Sequence, residues 1–333
     1  MMKRSSLLTA ALALASLTAI QIQTAQGQTA PKKLAVPRTA DGKPDLQGIW
    51  TNATLTPLER PAAVAGKATL TDAEAAVWEK NSVDVLKKYD GKAENPFADA
   101  AGSGGTGGYN ALFIDQGSEL ARVDGVKRTS LVIDPPNGKV PPITTEARAR
   151  NAALARGSGG FDSARDRPLG ERCLMSFGSS AGPPMVPVLY NNNYEIVQTH
   201  DHVVILTEMV HDARIIRMNA KHAPTSVRQW MGDSIGKWDG DTLVVDTTNF
   251  TNQTRFRGSG ENLHVVERFT RVDQNTILYR ATIEESATFP SPWTIEYPFV
   301  ATKGPIYEYA CHEGNYSMAD ILGGARKAEQ EKK

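Results

Sequence analysis

Glu267 is the residue best placed to do chemistry in this chain. Leu263, Val265 and Phe269 alternate around it, Asp273-Gln274-Asn275 interrupts the run, and Ile277, Tyr279 and Ile283 resume the alternation. Pairing the two runs across that short loop sets Val272 opposite Thr276, Phe269 opposite Tyr279 and Glu267 opposite Ala281. Glu267 then shares the apolar face, while Arg268, Thr270, Arg280 and Thr282 share the other. A carboxylate turned toward an apolar interior is costly to keep charged unless it is paired, and its pKa tends to rise. Such groups are enriched at functional sites. Two roles stay open: an acid or base in a pocket, or one half of an interior ion pair with an arginine from a mouth loop.

Two loop segments carry the other suitable groups. One holds His222, Arg228, Trp230 and Asp233; the next holds Asn249, Arg255, Phe256, Arg257 and Glu261. Arginine presents a fixed fork of donors to a carboxylate or phosphate, and Trp230 and Phe256 offer flat faces for stacking. On this reading Arg228, Trp230, Phe256, Arg257 and Tyr279 bind a ligand, and Glu267 and Asp233 act as acid or base. The competing account is loop pinning by Arg–Asp pairs and aromatic plugs.

Other motifs carry less. Gly232-Asp-Ser234-Ile-Gly236 and Gly178-Ser-Ser180-Ala-Gly182 match a nucleophile elbow, which needs a strand before it and a helix after it. A hairpin follows the first and two prolines follow the second. Gly102-x-Gly104-x-x-Gly107 lacks the strand and helix of a dinucleotide site. His200, His202 and Glu208 suggest a metal, but a turn at His200-Asp201 swings His200 away from His202, and no His-Glu-x-x-His or clustered cysteine pattern supports one. No metal or cofactor is expected. His211-Asp212-x-Arg214 and His312-Glu313 read as acid–base groups or as a turn and a polar cap.

The elements that position these groups are mostly strands. Tyr194–Thr199, His202–Met209, Ala213–Met218, Ser234–Trp238, Thr242–Thr248, Leu263–Val272, Thr276–Glu284 and Trp293–Thr302 form a run of eight, and Asp239-Gly240 is a strong hairpin signal. No helix interrupts them. An antiparallel up-and-down barrel or strongly curled sheet is expected, because closure removes exposed edges. Upstream, Asp45–Asn52 reads as a short strand. Thr71 and Glu74 form a capping box that opens a helix stopping near Gly91. Ala98–Gly108 is a glycine-dense loop, and Ala111–Asp115 pairs with Thr129–Asp134. Residues 145–155 form a helix ending at Gly157, and Met318–Lys333 forms another.

Cys173 precedes the eight-strand run and Cys311 follows it. In an antiparallel meander of eight both lie at one end, so a disulfide is expected if the first and last strands meet. The same ordering places the tight turns His211-Asp212, Asp239-Gly240 and Asp273–Asn275 at the cysteine end. The long connections 219–233, 249–262 and 285–292 fall at the other, which is the expected functional mouth.

Lys3 and Arg4, the apolar stretch Leu7–Ile20 and the small residues of Ala25-Gln26-Gly27 form a secretory signal cleaved after Gly27. The apolar stretch is too short to span a bilayer comfortably. Periplasmic or secreted localisation without a membrane anchor follows. The 37 basic residues balance 37 acidic ones, which gives no sign of a nucleic-acid partner. Three segments result: the signal 1–27, an N-terminal segment 28–172 packing on the barrel, and the meander with its terminal helix over 173–333.

Gly48-Ile49-Trp50 resembles the Gly-x-Trp that marks the first barrel strand of lipocalins and related calycins. More of the chain, from about residue 36 to the end, resembles an abundant family of exported bacterial proteins, through Asp41-Gly-Lys-Pro-Asp-Leu-Gln-Gly-Ile-Trp50, Tyr190-Asn-Asn-Asn-Tyr194, Arg228-Gln-Trp-Met-Gly-Asp233 and Tyr309-Ala-Cys-His-Glu-Gly-Asn-Tyr316. That resemblance implies export and one shared fold, without an activity. The leading expectation is an exported barrel binding a small, partly apolar, anionic molecule at its long-loop end. The alternatives are a metal-independent hydrolase or lyase using Glu267, and an envelope assembly module whose barrel is plugged by its own side chains.

Overall fold

Period-two alternation between short turns carries directly into strands. A computed structural model describes residues 36–89, 114–157 and 160–332. The export signal, the leader to residue 35, the helix stop near Gly91, the loop Ala98–Gly108 with its glycine motif, and most of the strand expected at Ala111–Asp115 lie outside those residues. Ile114 and Asp115 are not in a strand.

Among the described residues there are thirteen strands: β1 (Gly48–Thr51), β2 (Thr69–Leu70), β3 (Arg122–Val123), β4 (Val126–Arg128), β5 (Val132–Asp134), β6 (Asn193–Gln198), β7 (His202–Thr207), β8 (Ala213–Met218), β9 (Asp233–Asp239), β10 (Thr242–Thr248), β11 (His264–Arg271), β12 (Thr276–Glu284) and β13 (Trp293–Ala301). The last eight are those expected from the alternation. Their pairing register across Asp273–Asn275 sets Glu267 opposite Ala281 and Phe269 opposite Tyr279. The helices are α1 (Asp72–Tyr89), α2 (Thr145–Gly157) and α3 (Ser317–Glu331). At the start of α1, Glu74 N–H donates to Thr71 Oγ1 at 3.3 Å and Thr71 N–H returns to Glu74 Oε2 at 3.0 Å, the reciprocal capping box.

The sheet closes, but with nine strands rather than eight. β6 and β13 do not meet. β1 inserts between them, pairing antiparallel with β6 through Trp50 opposite Tyr194 and with β13 through Trp50 opposite Ala301. β5 adds a short edge against the other half of β13, and β2–β4–β3 form a separate small sheet.

The barrel is also mixed rather than purely antiparallel. β8 and β9 run parallel, with Ile216 opposite Ser234 and Met218 opposite Gly236. A parallel pair needs a connection of about a dozen residues or more to carry the chain back along the sheet. The segment 219–232 is that crossover. Every strand after β8 therefore points opposite to the direction expected of an antiparallel meander, and the loop sorting changes. The turns at 199–201, 240–241 and 272–275 share one end, here called the base. The Glu208–Asp212 turn joins the loops 249–263 and 285–292 at the other, the rim. β13 consequently ends at the base. Thr302 N–H donates to Ile49 O there, and the chain then runs back until Tyr307 N–H reaches Glu208 Oε1 at the rim. That strap delivers Cys311 to Cys173, and the two form a disulfide with Cα atoms 5.9 Å apart. The expected bridge is present, though the chain reaches it by a different route.

The barrel interior is packed with rings. Tyr279 lies 5.0 Å from Phe299, 5.2 Å from Phe269 and 5.5 Å from Tyr297, centroid to centroid. Trp50, Tyr194 and Trp293 are buried with them. The segment 181–186 is buried too, and it threads in beside these rings so that Met185 and Val186 join the same core.

Candidate functional site

Glu267 faces the interior and is fully buried. Its partner is Arg214, from the wall strand β8 rather than from a mouth loop. One guanidinium nitrogen donates to Glu267 Oε1 at 2.9 Å and the other makes the second, shorter contact with Oε2. Tyr279 O–H donates to Glu267 Oε1 at 2.9 Å. The remaining Arg214 donors go to Ser234 Oγ at 3.0 Å and Thr247 Oγ1 at 2.9 Å. Ser234, the would-be nucleophile of the first elbow motif, is a spacer in this network. Burial, and after it the charge on Glu267, pushes the Tyr279 hydroxyl well above its ordinary range, so it stays a donor.

The polar network reaches the inserted segment. Met185 N–H donates to Tyr279 Oη at 3.0 Å, and Met185 O accepts from Asn52 Nδ2 at 3.0 Å and from the Tyr297 hydroxyl. Asn52 follows β1, so the closing strand and the inserted segment are locked to the same rings. Both Glu267 oxygens are engaged inside the barrel and the group is fully buried. The interior ion pair is the role that the geometry fits.

The loop residues separate as well. Arg228 pins the rim: its Nη1 donates to Phe250 O at 3.0 Å and Glu261 O at 2.8 Å. Trp230 is half-buried, and its carbonyl accepts Thr254 Oγ1 at 2.7 Å. Phe256 is buried and stacks on Trp293 at 6.1 Å. Asp233 is buried on the outer side of the wall, where it takes Ala223 N–H at 2.8 Å, Arg217 at 2.8 and 3.0 Å and His222 Nδ1 at 3.0 Å. Burial opposes its charge, yet those donors together hold its carboxyl below the ordinary range. Asp233 and Glu267 are therefore on opposite faces of the sheet and do not form one acid–base pair. His200 and His202 are exposed at the base while Glu208 is buried at the rim, so those three do not converge either.

Arg257 alone among the expected ligand-binding residues projects outward unengaged. It is exposed, has no hydrogen-bond or ion partner among the described residues, and sits in the left-handed region at φ +51°. It lines a rim pocket of about 320 Å³ with Glu59, Val140, Pro141, Pro142, Ile143 and Phe289. The pocket wall is stiff. Arg150 of α2 donates to Gly258 O at 3.1 Å and Thr288 Oγ1 at 2.7 Å, and so joins the two long loops. Glu285 accepts Gly260 N–H at 2.9 and 3.0 Å, and Thr144 N–H donates to Thr288 O at 2.9 Å. Glu59 Oε1 already accepts Val140 N–H at 2.9 Å.

No protein-family profile matches the chain, and no curated protein is similar to it.

Two features lay beyond sequence reasoning. The sequence offered Arg214 only with His211 and Asp212, as an acid–base group or a turn; its inward direction was hidden because Ala213-Arg214-Ile215-Ile216 places apolar residues on both faces, and only the inward Ile216 and Met218 mark its parity. The 140–143 wall of the rim pocket comes from a segment whose position no alternation encodes.

Proposed function

We propose that this chain is an exported barrel protein that binds a small, partly apolar anion at its rim, with Arg257 as the anchoring cation. One observation carries the reading: a guanidinium held in a strained backbone conformation, without a partner among the described residues, over a pocket walled by proline, valine, isoleucine and phenylalanine. A non-glycine residue in the left-handed region costs about 1–2 kcal/mol, and such strain concentrates at ligand-holding positions. The pocket volume of about 320 Å³ suits a small molecule rather than a peptide. A ligand seated against the apolar wall residues would cover the exposed guanidinium, and the loss of water there would strengthen its hold on a carboxylate. Glu59 Oε2, without a partner among the described residues, favours a ligand with a hydrogen-bond donor at the end away from its acid group.

Calorimetric titration with a panel of small aliphatic and aromatic carboxylates, each beside its uncharged amide, tests this. Acids are expected to bind and amides to bind at least tenfold more weakly. Arg257→Gly is expected to lose acid binding while keeping or raising thermal stability, because glycine fits φ +51° without strain. Equal affinity for acid and amide, or binding unchanged in Arg257→Gly, would rule the site out.

A further inference from the structure

We propose that the crossover 219–232 is a pH-sensitive clamp, its side-chain hold on the barrel wall at Asp246 tightest while His264 is protonated and loosened at its histidine end when His264 loses that proton. This inference is independent of the rim pocket. It rests on a row of side chains along the outer face of β8 to β12. Arg217 contacts Asp233 at 2.8 and 3.0 Å. His222 lies between Asp233, 3.0 Å from Nδ1, and Asp246, 3.0 Å from Nε2. His264 lies between that same Asp246 oxygen, 3.2 Å from Nε2, and Glu284, 3.1 Å from Nδ1.

Each imidazole thus has a carboxylate oxygen at both ring nitrogens. A neutral imidazole offers one N–H and one lone pair. Its lone pair would face a carboxylate oxygen at hydrogen-bond distance, a repulsive contact. The imidazolium form alone donates at both ends. Charge balance points the same way: Asp233, Asp246 and Glu284 face one guanidinium, which leaves negative charge in excess beside the imidazoles. Among the described residues, no three such side chains are arranged to hold a metal ion. Lys221, beside His222, is exposed.

The shifts agree in direction. The hydrogen bond to Asp246, foremost, raises His264 above its ordinary value, with burial opposing. The hydrogen bond from His264, foremost, lowers Asp246, with burial opposing and His222 assisting. A raised histidine stabilises fully below its ordinary value of about 6.5, and that contribution is lost as pH climbs through the raised value. A lowered carboxylate stabilises above its ordinary value of about 4, and that contribution is lost as pH falls through the lowered one. The clamp is therefore tightest between about pH 4 and 6.5.

His222 is the side-chain contact that the crossover contributes to the row; beside it Ala223 N–H donates to Asp233 at 2.8 Å, Ala223 O accepts from Asn249 Nδ2 at 2.9 Å, and the segment Pro224–Val227 is exposed. The far half of the crossover stays fixed: Gln229 N–H donates to Asn249 O at 3.0 Å and Thr251 N–H to Gln229 O at 3.1 Å. Loosening is thus expected within about residues 220–227, against the backbone hold on Ala223.

Hydrogen-exchange mass spectrometry at pH 5.5 and 8.5, corrected for intrinsic exchange and run in EDTA, tests the clamp on the full chain. Opening of 219–232 is expected to rise at least fivefold at the higher pH, with β12 unchanged. In His222→Gln and in His264→Gln that dependence disappears. A proton NMR titration should place His264 above 6.5. Crossover protection independent of pH, the same dependence in His222→Gln, His264 titrating at or below 6.5, or protection that EDTA removes and zinc restores would each overturn the proposal.

Discussion

Burying Glu267 beside Arg214 exchanges water for fixed donors, and the exchange holds only while the pair is intact. Removing one member of a buried, hydrogen-bonded ion pair costs about 3–5 kcal/mol, because the other charge is left stranded. Glu267→Gln is expected to lower unfolding free energy by about that amount in urea titrations. The double variant Arg214→Met with Glu267→Leu is expected to be less destabilised than either single change, since no charge then remains unpaired. If the double variant is the worst of the three, the pair is a net stabiliser by itself. At this scale the sequence was informative about Glu267, because alternation around a hairpin is local. It named Arg214 only beside His211 and Asp212 and gave no sign of its pairing with Glu267, 53 positions away in the chain.

Among the elements, the crossover 219–232 has the largest consequence. It makes β8 and β9 parallel and turns every later strand end for end. Gly232 closes it at φ +71°, and a Cβ there would stand 2.6 Å from Thr248 O, a backbone atom that cannot swing aside. Gly232→Ala is therefore expected to cost about 2 kcal/mol or more. Thermal denaturation measures the loss, and exchange should show it concentrated at 229–234. A change within about 0.5 kcal/mol would mean that the turn relaxes freely. The helices were easier to read than this connection. The capping box at Thr71 and Glu74 announces α1 from residues three apart, whereas a long loop does not declare which end of a sheet it reaches.

Across the whole molecule, closure depends on partners far apart in sequence. Trp50 is buried where β1 bridges β6 and β13. Trp50→Ala is expected to cost about 3–5 kcal/mol and to loosen both seams at once; unfolding by fluorescence and exchange at β6 and β13 would check it. The disulfide spans a separation of 138 residues. By loop-closure entropy its reduction is expected to cost about 5 kcal/mol, read as a drop in urea midpoint under thiol.

What the amino-acid sequence determined by itself was whatever neighbours can settle. Eight strand positions, the hairpin register, the inward face of Glu267, the helix caps and the pairing of two cysteines all follow from alternation, turn residues and counting. Tertiary structure alone decided that β1 is the ninth stave, that β8 and β9 run parallel, that Arg214 answers Glu267, and that His222 and His264 share Asp246. Those outcomes depend on which surfaces meet. Loop entropy grows only with the logarithm of length, so a long connection leaves many destinations nearly equal in cost. Packing and charge neutralisation then choose among them.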